Sequence, residues 1–400
     1  MVACTGSWVW FKREPKFKLN VRYGTVDSVQ VLTGSNKQTR RCTDEANGSL
    51  SLRRHSIVKE TASAKLVSSA NHTASPFGTQ FCDHMTLVRF ADGRWSEVET
   101  LPVGPLPLHP ASHVLHYGSS CFEGMKAFRM QNGGVRIFRL DRHVERFQRS
   151  AELLCLPLPP ADIVEAMIRQ LVDLCFDDIP EAPGALYLRP ALIGTEENIG
   201  SAGAPSAQAM LYVLASPVGD YFSRGGHGLT ILIEDQELRS TPGFGQAKAG
   251  GNYASALRHV VKARKEHGAD QVLFCPNGDV QETGASNFFL INDSQLLTKP
   301  LDASFLHGVT RDSVITLARD LNYDVIERDF TVAEVMDWIQ TGEAALSGTA
   351  AVLSGVGSFV HKGATYKVGD GSTGPNTRKL SDALRALQSG RTEDRFGWLS

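Results

Sequence analysis

The chain has 400 residues, 42% hydrophobic and 21% charged, with a formal net charge of -2, a length at which two packed domains are the default expectation. The near-neutral balance gives no reason to expect a nucleic-acid partner. No apolar run approaches the roughly 20 residues that cross a bilayer, and the best candidate, around Ala209–Leu214, reads as a short buried strand, so no membrane partner is expected either.

The seven cysteines (Cys4, Cys42, Cys82, Cys121, Cys155, Cys175, Cys275) are odd in number and scattered. They show neither a zinc-type spacing nor a disulfide framework, so a reducing compartment and no metal are expected. Met1–Phe77 carries twelve Lys or Arg against five Asp or Glu, with many Ser and Thr. A basic, hydroxyl-rich, acid-poor extension reads as an organelle transit peptide, the alternative being a disordered tail with no address. The Ser and Thr content, without a long Arg-rich amphipathic helix near Met1, favours the plastid, with the mitochondrion as alternative.

From Met85 onward strand and helix signals alternate. "MTLVRFADGRW" reads as two strands about an Asp-Gly turn, "GVRIFRL" as a strand, and "RLDRHVERFQRSAELL" as a helix capped by its Asp. "PADIVEAMIRQLVDLCF" has helical spacing, and "ALYLRPALIG" and "AQAMLYVLAS" are apolar strands. The segment "SPVGDYFSRGGHG" is a linker, after which "LTILIED" begins a second block that closes with the helix "PNTRKLSDALRAL". The expected division is an extension at 1–77, a small α/β domain at 78–215, a linker at 216–224 and a larger domain at 225–400.

The stretch "GQAKAGGNYASALRHVVKARKEHG" places Lys248 among Ala and Gly, just before a helix expected from about Asn252 to Gly268. A lone lysine is ordinarily a solvated surface residue. Small neighbours, however, let a flat ligand approach the backbone, and a desolvated lysine becomes a nucleophile toward carbonyl groups. "LHGVTRDSVITLARDL" offers a turn into a helix whose first amides, at Val309 and Thr310, can cradle a phosphate. "SGTAA" (Ser347–Ala351) is a second small-residue turn after the apolar strand "EAAL". Either turn alone reads equally as a cap. Glu282, in "GDVQETGASNFFLI", is an acid that can protonate a pyridine nitrogen, or simply a solvated turn residue.

The motifs "HYGSSCFEGMKAFR", "RHVERF", "YLRP", "AKAGGNY", "QETGASNFF", "LHGVTRD" and "SGTAA" are colinear with those of the branched-chain amino acid aminotransferases, so the body of the chain resembles that family. The resemblance implies a two-domain α+β / α/β fold of type IV, with a smaller α/β domain and a larger one built on a barrel-like sheet. It also implies pyridoxal 5'-phosphate as cofactor, a homodimer, and reversible amino transfer between L-leucine, L-isoleucine or L-valine and 2-oxoglutarate. By resemblance Lys248 is the Schiff-base lysine and proton shuttle, Glu282 the partner of the pyridine nitrogen, and Tyr253 that of the phenolate oxygen. Arg146, Val309, Thr310 and Thr349 resemble phosphate ligands, and Leu306 the residue packed on the ring. Tyr117, Phe122 and Gly124 look like walls of an apolar substrate pocket. Tyr187, Arg189 and Tyr221 look like polar groups that also accept a distal carboxylate, and the amides of Thr349 and Ala350 like holders of the α-carboxylate. Ordinary core packing is the competing reading of Tyr117, Phe122 and Tyr187. Arg189 lies inside an apolar strand, where a buried charge requires an anionic partner.

Two positions depart from the family pattern: Lys126 stands where some members have arginine, and Ala351–Ser354 lacks the cysteine pair of animal members, so no thiol switch is expected there. A D-amino acid aminotransferase or an aminodeoxychorismate lyase would share the scaffold, and a non-catalytic binder of the same cofactor is the rival of another class.

Overall fold

The computed structural model describes residues 76–200, 202–219 and 227–400, together with the backbone of Ala3–Cys4 and Ser7–Trp8, a two-residue antiparallel pair. The rest of the expected transit peptide and Tyr221 lie outside the described residues. The Asp-Gly signal forms its hairpin: Asp92 and Gly93 both have positive φ (52° and 74°) and join β1 (His84–Ala91) to β2 (Arg94–Trp95). The chain continues through β3 (Glu99–Pro102), α1 (His113–Tyr117), β4 (Ser120–Phe122), β5 (Met125–Arg129) and β6 (Val135–Ile137). Helices α2 (Leu140–Leu153) and α3 (Ala161–Leu174) precede β7 (Ala185–Gly194) and β8 (Ala209–Val218).

These strands form one antiparallel sheet in the order β2-β1-β8-β7-β5-β6, with β3 on β1 and β4 on β7. Of the two classes left open by the sequence, the all-antiparallel ladder makes this part α+β. Strand alternation gives the sheet two different faces. Leu186, Leu188 and Leu192 of β7 and Met125 and Ala127 of β5 pack with Val164, Met167, Ile168 and Leu171 of α3. Tyr187 and Phe128 point the other way and join a core made with the second half of the chain.

Three boundaries differ from the sequence reading. Asp141 does not cap α2. The cap position is Arg139, in the left-handed region at φ 53°, and Asp141 sits in the first turn. Arg139 is fixed from outside the helix, its Nη1 donating to Asp312 (2.6 Å) and Ser313 (3.0 Å), while Asp141 still favours the helix dipole. Strand β8 runs on to Val218, so Ser216–Val218 is sheet rather than linker. Phe77, the last residue of the expected extension, packs edge-on against Tyr187 with centroids 4.8 Å apart.

The second half contains β9 (Leu229–Glu234), α4 (Gly250–His267), β10 (Gln271–Phe274), β11 (Asn287–Ile291) and β12 (Gln295–Thr298). It continues through α5 (Val309–Asp320), β13 (Asp324–Glu327), α6 (Val332–Trp338), β14 (Glu343–Gly348), β15 (Val352–His361), β16 (Ala364–Lys367) and α7 (Pro375–Gln388). Its sheet has the order β10-β9-β15-β14-β11-β12-β13, with β16 on β15. The sheet is mixed: β9 is parallel to β10 and β15, whereas β11, β14 and β15 run antiparallel in turn. It curls as an open half-barrel. Helix α4 ends where the sequence indicates, at Gly268 with φ 64°, and begins two residues earlier than expected, at Gly250.

Candidate active site

Lys248 is half buried immediately before α4. Its backbone is clamped on two sides: its N–H donates to Ser150 Oγ (3.0 Å) and its carbonyl accepts from the Phe122 N–H (3.1 Å). Asn252 Nδ2 gathers the preceding loop by donating to the carbonyls of Phe244 and Ala247, both at 2.9 Å. The ammonium is thereby aimed: Nζ donates to the Tyr253 hydroxyl (2.9 Å) and lies 5.0 Å from the centre of the Phe122 ring.

Behind this lysine lies a buried acid. Glu282 is 1% exposed, at a turn closed by the Thr283 N–H on the Ser286 carbonyl. Its carboxylate accepts from the Leu306 N–H (2.8 Å) and Asn287 Nδ2 (3.2 Å). Arg239, itself 1% exposed, brings Nη1 to 2.9 Å of the same carboxylate, an ion pair by distance without hydrogen-bond alignment. Burial pushes the Glu282 carboxyl up to about 7, against the pull of Arg239 and the Leu306 amide.

Two sources of positive potential meet nearby. Arg146 Nη1 donates to the His307 carbonyl (3.0 Å), which places the guanidinium beside the first turn of α5. The Val309 and Thr310 amides there have no partner among the described residues. Arg146 is in turn gripped by Glu123, which accepts from its Nε (2.6 Å) and Nη2 (2.9 Å), from His143 Nδ1 (2.8 Å) and from the Gly124 N–H (3.0 Å). Burial opposes ionisation of Glu123, but Arg146 and His143 overcome it and hold the carboxyl far below the usual carboxylate range. Burial likewise opposes the charge on Arg146, and Glu123 outweighs it.

The opposite wall comes from the first sheet. Tyr187 and Arg189 share a face of β7, and Arg189 Nη2 donates to the Tyr187 hydroxyl (2.7 Å). The Arg189 guanidinium stacks on Phe122 (4.6 Å), while its buried Nε has no partner. Arg189 is half buried and no carboxylate pairs with it among the described residues, so its charge can meet the anionic group of a ligand. Gly124 is obligatory for packing, because a Cβ there would lie 2.0 Å from the Tyr187 hydroxyl. Pro190 accepts from the Glu123 N–H (2.8 Å) but cannot donate back, so the ladder breaks where Glu123 and Gly124 turn into the site. Lys126 Nζ donates to the Ala350 carbonyl (2.9 Å) and anchors the 347–351 turn, in which the Thr349 and Ala350 amides have no partner among the described residues.

Thus Lys248, Tyr253, Glu282, Leu306, Arg146, Val309, Thr310, Phe122, Gly124, Tyr187 and Arg189 lie in one connected cluster, and Lys126 ties Thr349 and Ala350 to it. Tyr117 stands apart on α1, half exposed, its hydroxyl donating to the Ile199 carbonyl. Sequence reasoning missed Glu123, His143, Arg239 and Asn287. Glu123, His143 and Asn287 lie inside the family-like motifs, where an internal polar residue was the available signal, whereas nothing local marks Arg239.

A half-barrel sheet, a lysine at the mouth of a helix, a buried acid and an anion cradle define a class of cofactor-dependent group-transfer enzyme. The sequence agrees: a family model for amino-transferase class IV matches residues 120–359, and the chain belongs to that family. It is 37% identical over 333 residues to a probable branched-chain-amino-acid aminotransferase of Streptomyces coelicolor, covering 81% of this chain and 91% of that protein. To the branched-chain-amino-acid aminotransferase 2 of Bacillus subtilis it is 35% identical, covering 86% and 97%. Among solved structures it superposes on the branched-chain enzyme of Escherichia coli with a TM-score of 0.66 at 28% identity, covering 80% and 98%. The T.th. branched-chain enzyme solved with pyridoxamine 5'-phosphate also gives 0.66, at 27% identity, covering 80% and 99%.

Pyridoxal 5'-phosphate is the cofactor of this class, and the residues present fit it. Lys248 supplies the amine, Glu282 a buried carboxylate, and Arg146 with the α5 amides the kind of surroundings that suits a phosphate dianion.

Proposed function

We propose that this chain is a branched-chain amino acid aminotransferase that moves the amino group of L-leucine, L-isoleucine or L-valine to 2-oxoglutarate. The observation that carries the substrate reading is the pairing of the Phe122 wall with an Arg189 that no carboxylate meets among the described residues. One pocket then offers apolar surface to an aliphatic side chain and a cation to the distal carboxylate of glutamate.

In this reading Arg146, Val309, Thr310 and Thr349 would hold the phosphate, Leu306 would pack on the ring, and Tyr253 and Glu282 would meet its phenolate oxygen and ring nitrogen. When bound, pyridoxal 5'-phosphate supplies a carbonyl carbon that links to amines and an electron sink for the substrate α-carbon. The protein does the rest. Lys248 Nζ would take the proton from the substrate α-carbon and pass it to the cofactor's C4' atom, a short movement for an amine already steered by Tyr253. The Thr349 and Ala350 amides orient the α-carboxylate, with Lys126 keeping their turn in place. Tyr187 presents its hydroxyl to the pocket with Arg189.

The two sheets are read as the cores of two domains, the first running to Val218 at the end of β8 and the second beginning with β9, and the working unit is a homodimer. The basic extension directs the protein to a plastid.

Purified protein should be yellow. Borohydride should remove the visible band and fix the cofactor on Lys248, and leucine with 2-oxoglutarate should yield glutamate. A colourless protein that takes up no cofactor would overturn the assignment, and turnover of D-alanine in place of L-leucine would replace the substrate. A fusion of Met1–Phe77 to a fluorescent protein tests the address, a diffuse cytosolic signal counting against it.

A further inference from the structure

Cys82, in the segment entering β1, Cys175, at the end of α3, and Asp178, in the short turn that follows, are brought together on the helix-covered face of the first sheet. Their two sulfurs and a carboxylate oxygen all lie within 4.8 Å of one another. Both thiols are buried, at 5% and 1% exposure, and Asp178 is half buried.

The backbone around the three groups is fixed. The Cys82 N–H donates to the Ala215 carbonyl of β8 (2.9 Å), and the Asp178 N–H to the Cys175 carbonyl (3.0 Å). Arg129 braces the turn by donating to the carbonyls of Phe176 (2.6 Å) and Ile179 (3.2 Å), with its guanidinium 4.6 Å from the Phe176 ring centre. Its charge is met by Glu181 at 3.4 Å, and no Lys, Arg or His pairs with Asp178 among the described residues. The result is a converging set of two sulfurs and one oxygen.

We propose that Cys82, Cys175 and Asp178 form a site for a thiophilic divalent cation of the zinc class. Tetrahedral zinc, with bonds of about 2.3 Å to sulfur and about 2.0–2.2 Å to oxygen, needs its donors about 3.6–3.8 Å apart. Small side-chain rotations bring the observed set to that spacing. Two thiolates with one carboxylate select zinc or cadmium over magnesium or calcium, and the half-exposed side of Asp178 leaves the fourth position to water. Binding needs no oxidant: each cation displaces two thiol protons and leaves two metal–sulfur bonds. The site lies on the face of the sheet opposite Tyr187, so its effect is to tie the segment entering β1 to the end of α3, apart from the reaction.

The test uses the full-length holoenzyme with Cys4, Cys42 and Cys155 replaced by serine, stripped with chelator under reducing conditions and titrated with cadmium. An ultraviolet thiolate-to-cadmium band should saturate at one equivalent per chain with release of two protons, and the thermal midpoint should rise. Cys82→Ser or Cys175→Ser should weaken binding about 100-fold or more, beyond what loss of an outer hydrogen-bond partner costs, and Asp178→Asn about tenfold. Retained cofactor absorbance and leucine turnover would show that these variants are folded. Absence of the band, equal uptake by the Cys82→Ser/Cys175→Ser double variant, or a Cys82–Cys175 disulfide whose reduced form takes up no cadmium would each overturn the proposal.

Discussion

Replacing Glu123 with glutamine isolates the electrostatic clamp beneath the anion cradle. The side chain is wholly buried and accepts four hydrogen bonds, two from Arg146 and one each from His143 and Gly124. Glutamine keeps the volume but turns an NH2 group toward a donor and leaves the Arg146 guanidinium, 8% exposed, without its carboxylate. Breaking a buried pair in this way costs about 3–5 kcal/mol. At about 2 °C per kcal/mol for a chain of this size, the melting midpoint of the apoenzyme should fall by about 6–10 °C at pH 7. The pH dependence is a second check. The Glu123 carboxyl is held below its ordinary 4.5 in the folded protein, so its contribution is complete above that pH and is lost as pH falls. The gap between wild type and variant should therefore be constant from pH 7 to about pH 5 and narrow below about 4.5. Differential scanning calorimetry of the two apoenzymes between pH 7 and 4 measures both. A shift under about 1 °C at pH 7, or a gap that does not narrow in acid, would refute the reasoning.

Glu282 has the opposite sign. Its folded value is raised to about 7, so apoenzyme stability from this group is present below about pH 4.5 and is lost toward pH 7, by at most about 3 kcal/mol. Glu282→Gln should remove that slope, seen as a midpoint difference that moves in the variant's favour as pH rises. Lys248→Ala should abolish transamination and borohydride labelling while the far-ultraviolet spectrum and melting transition persist. Arg189→Ala should keep the cofactor band and lose about 10- to 100-fold in kcat/KM for glutamate, the worth of a charge-assisted hydrogen bond, and less for leucine. Gly124→Ala forces Tyr187 away from a Cβ that would lie 2.0 Å from its hydroxyl. It should cost about 1–3 kcal/mol of stability and raise KM for both substrates, as read by steady-state kinetics.

Local features were legible wherever a short-range rule governs them. The Asp92-Gly93 hairpin, the spacing of Val164, Met167, Ile168 and Leu171, and the Gly268 terminus all follow from neighbours within a few residues. The cap of α2 was not legible, because Arg139 is held by Asp312 and Ser313, far along the chain. Motif order was enough to single out Lys248, Tyr253 and Glu282, which folding brings together, since each sits in a compact sequence signature. Arg239 escaped because its meaning is its place beside Glu282 in a dry interior, and no local pattern encodes that.

By itself, then, the sequence determined the chemical inventory: a lysine among small residues, two small-residue turns and strands whose alternation assigns Tyr187 and Arg189 to one face. Only the tertiary structure decided the charges. Whether a carboxyl is pushed up like Glu282 or down like Glu123 depends on which cations approach it once water is excluded. The same holds for Cys82, Cys175 and Asp178, whose separation along the chain hides a juxtaposition that folding alone creates.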